Sequence, residues 1–209
     1  MKKLLKTSIK RLFAKPSVSL AARWPQPWLL AIMRRLNAIQ LSPHELRTII
    51  TALKRKAPCN FLVFGLGNDS RIWLAANRGG RTVFIEDNEA WFAEIVARER
   101  LTNAYLVDYE TRLTQWRELL DQPITMHLPG DLEQYRWDVI FVDAPGGWSP
   151  DTPGRMKSIF LASQVAQIDS DVFVHDCNRE VERVYCDRFL GRQELTVEMQ
   201  LLRHYRITS

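Results

Sequence analysis

The chain has 209 residues, of which 46% are hydrophobic and 25% charged, a balance that suits one globular domain with a sizeable core and excludes a disordered or coiled-coil chain. Its 29 Lys and Arg against 24 Asp and Glu give a net charge of +5, a basic excess that suits nucleic acid, an acidic glycan or a membrane surface, or serves solubility alone. Three cysteines, Cys59, Cys177 and Cys186, form no CxxC pair; neither a zinc site nor a disulfide framework is expected, and a reducing compartment fits.

In chain order, Lys2, Lys3, Lys6, Lys10, Arg11 and Lys15 come first with no acid among them, the pattern of a basic arm or of a helix lying on an anionic membrane surface. The apolar stretch around residues 28–33 is far too short to span a bilayer, and no cleavage site follows an apolar run. The expected location is cytoplasmic, with peripheral membrane contact through the basic N-terminus. Ser42-Pro43-His44-Glu45 has the form of a helix start, with a capping Ser, Pro in the first turn and an acid beside it, and the helix should run to about residue 56. Residues 1–57 are thus expected to form a basic helical extension, and residues 58–209 the main domain.

From Asn60 short apolar strands alternate with helical patterns. Strands are expected at 61–64, 82–85, 104–107, 139–142 and 172–174, and helices at 71–76, 88–101, 111–120, 155–166 and 179–190. A hairpin over 195–207 would finish the sheet. Alternation of this kind implies βαβ units: an α/β, doubly wound, Rossmann-like sheet, mostly parallel with a C-terminal antiparallel hairpin, carrying N-terminal helices. Ligands of such sheets bind beyond the carboxyl ends of the strands, so the polar residues at those ends are the candidates.

The first strand runs into Gly65-Leu66-Gly67-Asn68-Asp69-Ser70. Gly65 and Gly67 allow a sharp turn and close approach of the backbone to a ligand, although the loop lacks the third glycine of a dinucleotide fingerprint. Asp69 and Ser70 either join the cofactor loop or simply cap the next helix. Glu86, at the end of the second strand, is placed to accept both ribose hydroxyls of a nucleoside cofactor; NAD, FAD and S-adenosylmethionine all remain open at this point. Asp143 follows the fourth strand and opens Ala144-Pro145-Gly146-Gly147-Trp148. His175, Asp176 and Asn178 follow the fifth. Asp143, Asp176 and Asn178 offer hard oxygen donors suited to a divalent cation that would hold a diol and acidify one hydroxyl. The bland alternative is that both acids cap helices. His175 is a candidate base or a structural histidine.

Asn60-Phe61-Leu62-Val63-Phe64-Gly65-Leu66-Gly67, Val83-Phe84-Ile85-Glu86-Asp87, Asp143-Ala144-Pro145, Pro153-Gly154-Arg155-Met156 and Val174-His175-Asp176-Cys177-Asn178-Arg179 occur in this order. Together they resemble the DUF579 family of plant glucuronoxylan 4-O-methyltransferases and arabinogalactan glucuronic acid methyltransferases, over about residues 58–190. The resemblance implies a class I methyltransferase fold, S-adenosylmethionine as donor, methylation of the 4-hydroxyl of glucuronic acid on a glycan or glycoside, and dependence on a divalent metal cation. It implies that Gly65, Gly67, Asp69 and Glu86 hold the cofactor, with Ser70 in the same loop, and that Asp143, His175 and Asp176 lie at the reacting hydroxyl. Arg155 and Arg179 become candidates for clamping the glucuronate carboxylate, and Trp148 for stacking on a sugar ring. Asn68, where many members carry His, and Gly146-Gly147-Trp148 depart from the usual residues. The alternatives are an O-methyltransferase for a catechol-like or natural-product acceptor, and a non-catalytic glycan-assembly factor. A nucleic-acid methyltransferase is disfavoured, because Asp143-Ala144-Pro145-Gly146 replaces the motif that grips a flipped base.

Overall fold

The computed structural model describes residues 14, 16–122 and 124–208. Lys2, Lys3, Lys6, Lys10, Arg11 and Lys15 lie outside them. The chain divides into two compact units, one of residues 1–58 and 67–80 and the other of residues 59–66 and 81–209.

The first unit is helical. It contains α1 (residues 16–23), α2 (Pro27–Asn37), α3 (Pro43–Lys56) and α4 (Ser70–Ala76). Pro27 opens α2, where its missing N–H costs nothing, and Ala38 closes it in the left-handed region at φ 54. The capping box read from the sequence starts α3: Ser42 Oγ accepts from Glu45 N at 3.3 Å, and Glu45 Oε2 accepts from Ser42 N at 2.7 Å. Lys54, Arg55 and Lys56 fill its last turn, where positive charge meets the exposed carbonyls. Leu30 and Met33 of α2 and Leu46, Ile49, Ile50 and Leu53 of α3 are fully buried.

The second unit holds the sheet: β1 (Asn60–Phe64), β2 (Arg81–Glu86), β3 (Ala104–Leu106), β4 (Trp137–Val142), β5 (Ala166–Val174), β6 (Leu195–Glu198) and β7 (Arg203–Arg206). Their spatial order is β3-β2-β1-β4-β5-β7-β6. The first five pair in parallel, while β7 is antiparallel to both β5 and β6. The doubly wound sheet and its closing hairpin are therefore as expected, with β7 inserted beside β5 and β6 at the edge. Helices α5 (Glu89–Glu99), α6 (Trp116–Leu120), α7 (Met156–Val165) and α8 (Glu180–Phe189) belong to this unit. The central strands are apolar on both faces: Phe61, Leu62, Phe64, Val139, Ile140, Phe141, Val142, Val172, Phe173 and Val174 are all inaccessible to solvent, as a parallel sheet covered on two sides demands.

Two expectations about local structure need correction. The helix expected over residues 111–120 is a 3-10 turn, Leu113–Gln115, followed by the single short helix α6. Thr111 Oγ1 donates to Pro153 O at 3.0 Å and Leu113 N to Thr152 O at 2.7 Å, so this backbone is tied to the loop after β4 instead of to a helical turn. The strand expected at 172–174 begins at Ala166, directly after α7; its exposed first half lacks the apolar run that marks a buried strand.

Sheet order reverses between β1 and β4, which opens a crevice at their carboxyl ends. The parallel register aligns Phe64 with both Ile85 and Val142, and Val142 with Val174. The ladder then continues one step further: Gly65 N donates to Ile85 O, Asp143 N to Phe64 O and His175 N to Val142 O, at 2.7, 2.8 and 2.9 Å. Gly65, Glu86, Asp143 and His175 thus leave four adjacent strands at one level.

Candidate active site

Gly65 takes φ +120, and a Cβ built on it would lie 3.2 Å from Ala144 Cβ. No L side chain suits that backbone, so glycine here lets the loop after β1 abut the loop after β4. Beside it, the Glu86 carboxylate is held by three main-chain N–H groups. Its Oε2 accepts from Leu66 N at 2.7 Å, and its Oε1 from Asn88 N at 2.9 Å and Asp87 N at 3.1 Å. Glu86 is 5% exposed. The two bonds to Oε1 use its lone pairs, while Oε2 keeps acceptor capacity for a ligand hydroxyl. Trp91 Nε1 donates to Leu66 O at 2.6 Å, further fixing the loop.

Two neighbours of Glu86 were not among the expected site residues. Asp87 is raised to about 6, by burial first and by the Glu86 charge second. Tyr109 is fully buried and its hydroxyl has no hydrogen-bond partner among the described residues; burial, and then the charges of Asp87 and Glu86, push its ionisation well above the usual tyrosine range. A buried donor without an acceptor is costly in a finished protein and ordinary in a ligand site. The Asp87 shift also gives a stability prediction. A carboxyl whose folded pKa is raised stabilises the fold below its unfolded pKa and loses that stabilisation as pH rises through the folded value. Asp87→Asn should therefore raise stability by about 1–2 kcal/mol at pH 8, after allowance for solvent screening. The gain should vanish below about pH 4. Thermal melts of both proteins across this range test it, and an equal gain at both ends would refute the assigned cause.

Asp143, His175 and Asp176 come together at the ends of β4 and β5. His175 Nδ1 lies 3.0 Å from Asp143 Oδ1 and 3.5 Å from Asp176 Oδ1. One potential ligand atom from each of the three residues falls within 4.8 Å of the other two. Arg155 binds this group from beneath. Its Nη1 donates to His175 O at 2.5 Å; its Nη2 donates to Asp143 O at 2.6 Å and Asp143 Oδ1 at 3.0 Å, and pairs with Asp176 Oδ2 at 2.8 Å. Only 5% of that side chain is exposed. Arg155 is consequently spent inside the protein, where the sequence had made it a clamp for the substrate carboxylate. Arg179 is the more accessible guanidinium, at 31% side-chain exposure. Its Nη2 pairs with Asp176 Oδ2 at 2.9 Å and its Nη1 meets Glu182 Oε1 at 3.5 Å. Glu182, which sequence reasoning passed over, is fully buried, and burial raises its carboxyl above the usual range against the pull of Arg155 and Arg179. Its three-residue spacing from Arg179 was the available signal.

The remaining expected residues are placed as follows. Trp148 is 78% exposed, and its ring lies over Gly146, where a Cβ would fall 2.0 Å from Cζ3; any side chain at 146 would displace it. Asn178 is exposed, with its main-chain carbonyl accepting from Arg183 Nη1 at 2.5 Å, and the cluster has His175 as its third member. In the helical unit, Ser70 is buried at the start of α4 and its Oγ accepts from Gly67 N at 3.0 Å. Asp69 occupies the N-cap position of α4.

Comparison with known proteins agrees with this geometry. The model of the IRX15/IRX15L/GXM family matches residues 44–127 and 123–205. Glucuronoxylan 4-O-methyltransferase 1 of Arabidopsis thaliana is 37% identical over 188 residues, covering 79% of this chain and 67% of its own length. Arabinogalactan O-methyltransferase 2 of the same plant is 33% identical, covering 81% and 68%. Among solved structures, a putative caffeoyl-CoA O-methyltransferase from Staphylococcus aureus superposes with a TM-score of 0.53 at 14% identity, over 85% of this chain and 91% of that one, which establishes the fold. By sequence the chain belongs to the IRX15/IRX15L/GXM family, and its enzyme class is that of the O-methyltransferases.

Proposed function

We propose that the chain transfers the methyl group of S-adenosylmethionine to the 4-hydroxyl of a glucuronic acid residue in a glycan or glycoside. The observation that carries this reading is the alignment of Gly65, Glu86, Asp143 and His175 at one level across the sheet's switch point. A nucleoside site and a polar cluster are thereby adjacent, as a two-substrate transfer requires. The relatives' names supply the acceptor class.

The cofactor site fits on its own chemistry. Gly65 admits close approach, Glu86 Oε2 accepts a ribose hydroxyl, and Tyr109 offers a buried donor. Gly67, Asp69 and Ser70 continue the same loop in sequence and keep a proposed part in it. S-adenosylmethionine, when bound, supplies an electrophilic methyl on a sulfonium.

Asp143 is the base candidate. Its side chain is 30% exposed, the most accessible of the three in the cluster. The bonds from Arg155 and His175 both go to Oδ1, and Oδ2 is the oxygen assigned to the acceptor proton. His175 Nδ1–H holds that carboxylate in orientation, and Asp176 in turn faces the imidazole. Arg179 is the candidate for the glucuronate carboxylate, and exposed Trp148 for the apolar face of the sugar. The donor set also fits a divalent cation: Asp143, His175 and Asp176 present one nitrogen and two carboxylates within reach of one ion. Such a cation, when held there, supplies Lewis acidity that lowers the pKa of the acceptor hydroxyl.

An acceptor panel tests the reading. With labelled methyl donor, glucuronic-acid oligosaccharides should be methylated, and neutral xylo-oligosaccharides and catechols should not. Labelled catechol with unlabelled glucuronosides would replace the acceptor assignment. A strong chelator should reduce turnover, with recovery on adding a divalent metal; turnover indifferent to both would remove the cation and leave Asp143 as the base.

A further inference from the structure

The helical unit has a surface character that methyl transfer does not use. Residues 1–58 and 67–80 carry 15 Lys and Arg against two acids, Glu45 and Asp69, a net +13; the remainder carries 14 against 22, a net −8. No acid precedes Glu45, and Glu45 itself is buried in its capping box. The charge of the whole chain, +5, conceals this separation.

The same unit exposes large apolar side chains. Among the described residues, eight large hydrophobics are exposed, and four of them fall within residues 20–32: Leu20 at 42%, Trp24 at 54%, Trp28 at 64% and Ile32 at 49%. They recur every fourth residue. Leu20 lies in the last turn of α1 and Trp24 in the bend just after it, and Trp28 and Ile32 share one side of α2. The opposite side of α2 is used for packing, through buried Leu29, Leu30 and Met33. The Arg23 guanidinium sits 4.9 Å over the Trp24 ring, so cation and aromatic are presented together. No helix among the described residues is long and apolar enough to cross a membrane.

We propose that this face docks on an anionic lipid surface, with Leu20, Trp24, Trp28 and Ile32 entering the headgroup boundary and the surrounding Arg and Lys meeting lipid phosphates. Charge complementarity selects an anionic partner. The aliphatic pair decides among anionic partners. Leu20 and Ile32 gain nothing from a hydrated polyuronate or a phosphodiester backbone, whereas Trp, Leu and Ile backed by basic residues are what an interfacial helix presents. The docking is independent of the catalytic reading, since none of these residues belongs to the proposed site.

Flotation of the full chain with vesicles, in the absence of methyl donor, tests it. The protein should float with phosphatidylcholine vesicles containing phosphatidylglycerol and not with phosphatidylcholine alone, and rising salt should release it. The double variant Trp28→Ser, Ile32→Ser should lose about tenfold in partitioning, and Arg23→Gln about fivefold, with unchanged melting curves. Both substituted apolar side chains are largely exposed, so the fold should survive. Absence of flotation at low salt, or equal flotation by the double variant, would overturn the proposal. So would binding to polyuronate fragments without binding to vesicles, which would give the face to a glycan.

Discussion

Arg155→Met should destabilise the fold by about 3 kcal/mol, the cost of leaving two part-buried carboxylates and two main-chain carbonyls without their shared buried donor, and should abolish methyl transfer. The guanidinium makes four contacts to three residues: the carbonyl and Oδ1 of Asp143, the carbonyl of His175 and Oδ2 of Asp176. Removing it takes the shared donor from two carbonyls and both acids, leaving Asp176 with Arg179 and Asp143 with His175. Methionine fills much of the same volume, which separates loss of charge from loss of packing. Arg155→Lys restores the charge at one point without the planar fork that spans both acids. It should recover part of the stability and little of the activity. Denaturant titration and turnover, measured on both variants, check this. A methionine variant with wild-type stability would mean that the acids are compensated elsewhere.

Glu86→Gln should weaken S-adenosylmethionine binding about a hundredfold, an effect of the size expected when a charge-assisted acceptor is lost. The wild-type carboxylate only accepts, and all three protein bonds to it come from N–H donors. An amide has one acceptor oxygen, so its NH2 must face a main-chain N–H. The loop after β1 or the turn after β2 then moves. The substitution therefore removes the ribose acceptor and disturbs the loop that presents it. Calorimetric titration of the cofactor, with circular dichroism to confirm the fold, is the appropriate check. Unchanged affinity in a folded variant would remove Glu86 from the cofactor site.

The strand ends were legible because a parallel sheet places its ligands there. Apolar runs closed by Gly65, Glu86, Asp143 and His175 fix which residues occupy the ends, and the observed register puts those four in a row. The role of Arg155 was not legible. An arginine following Pro153-Gly154 beside an acidic motif reads as a surface clamp; only the three-dimensional meeting of the loop after β4 with the end of β5 shows it buried and bonded through both Nη atoms. Tyr109 was hidden for a related reason. It follows β3 in a segment that looked like the approach to a helix, and the pairing of that segment with Thr152 and Pro153 has no local signature. Glu182 lay within helical spacing of Arg179, yet spacing does not distinguish an exposed ion pair from a buried one. The charge division between the units was present in the sequence throughout, but it is visible only once the unit boundaries are known.

The most direct measurement is transfer of labelled methyl from S-adenosylmethionine to a defined glucuronic-acid oligosaccharide, comparing the natural chain with Asp143→Asn under saturating donor. We expect a product bearing one labelled methyl ether on the 4-oxygen of glucuronic acid, with loss of turnover and retained cofactor binding in the variant. Cofactor binding without methyl release to any uronic-acid acceptor, or full turnover by the variant, would contradict the assignment of this crevice as the transfer site.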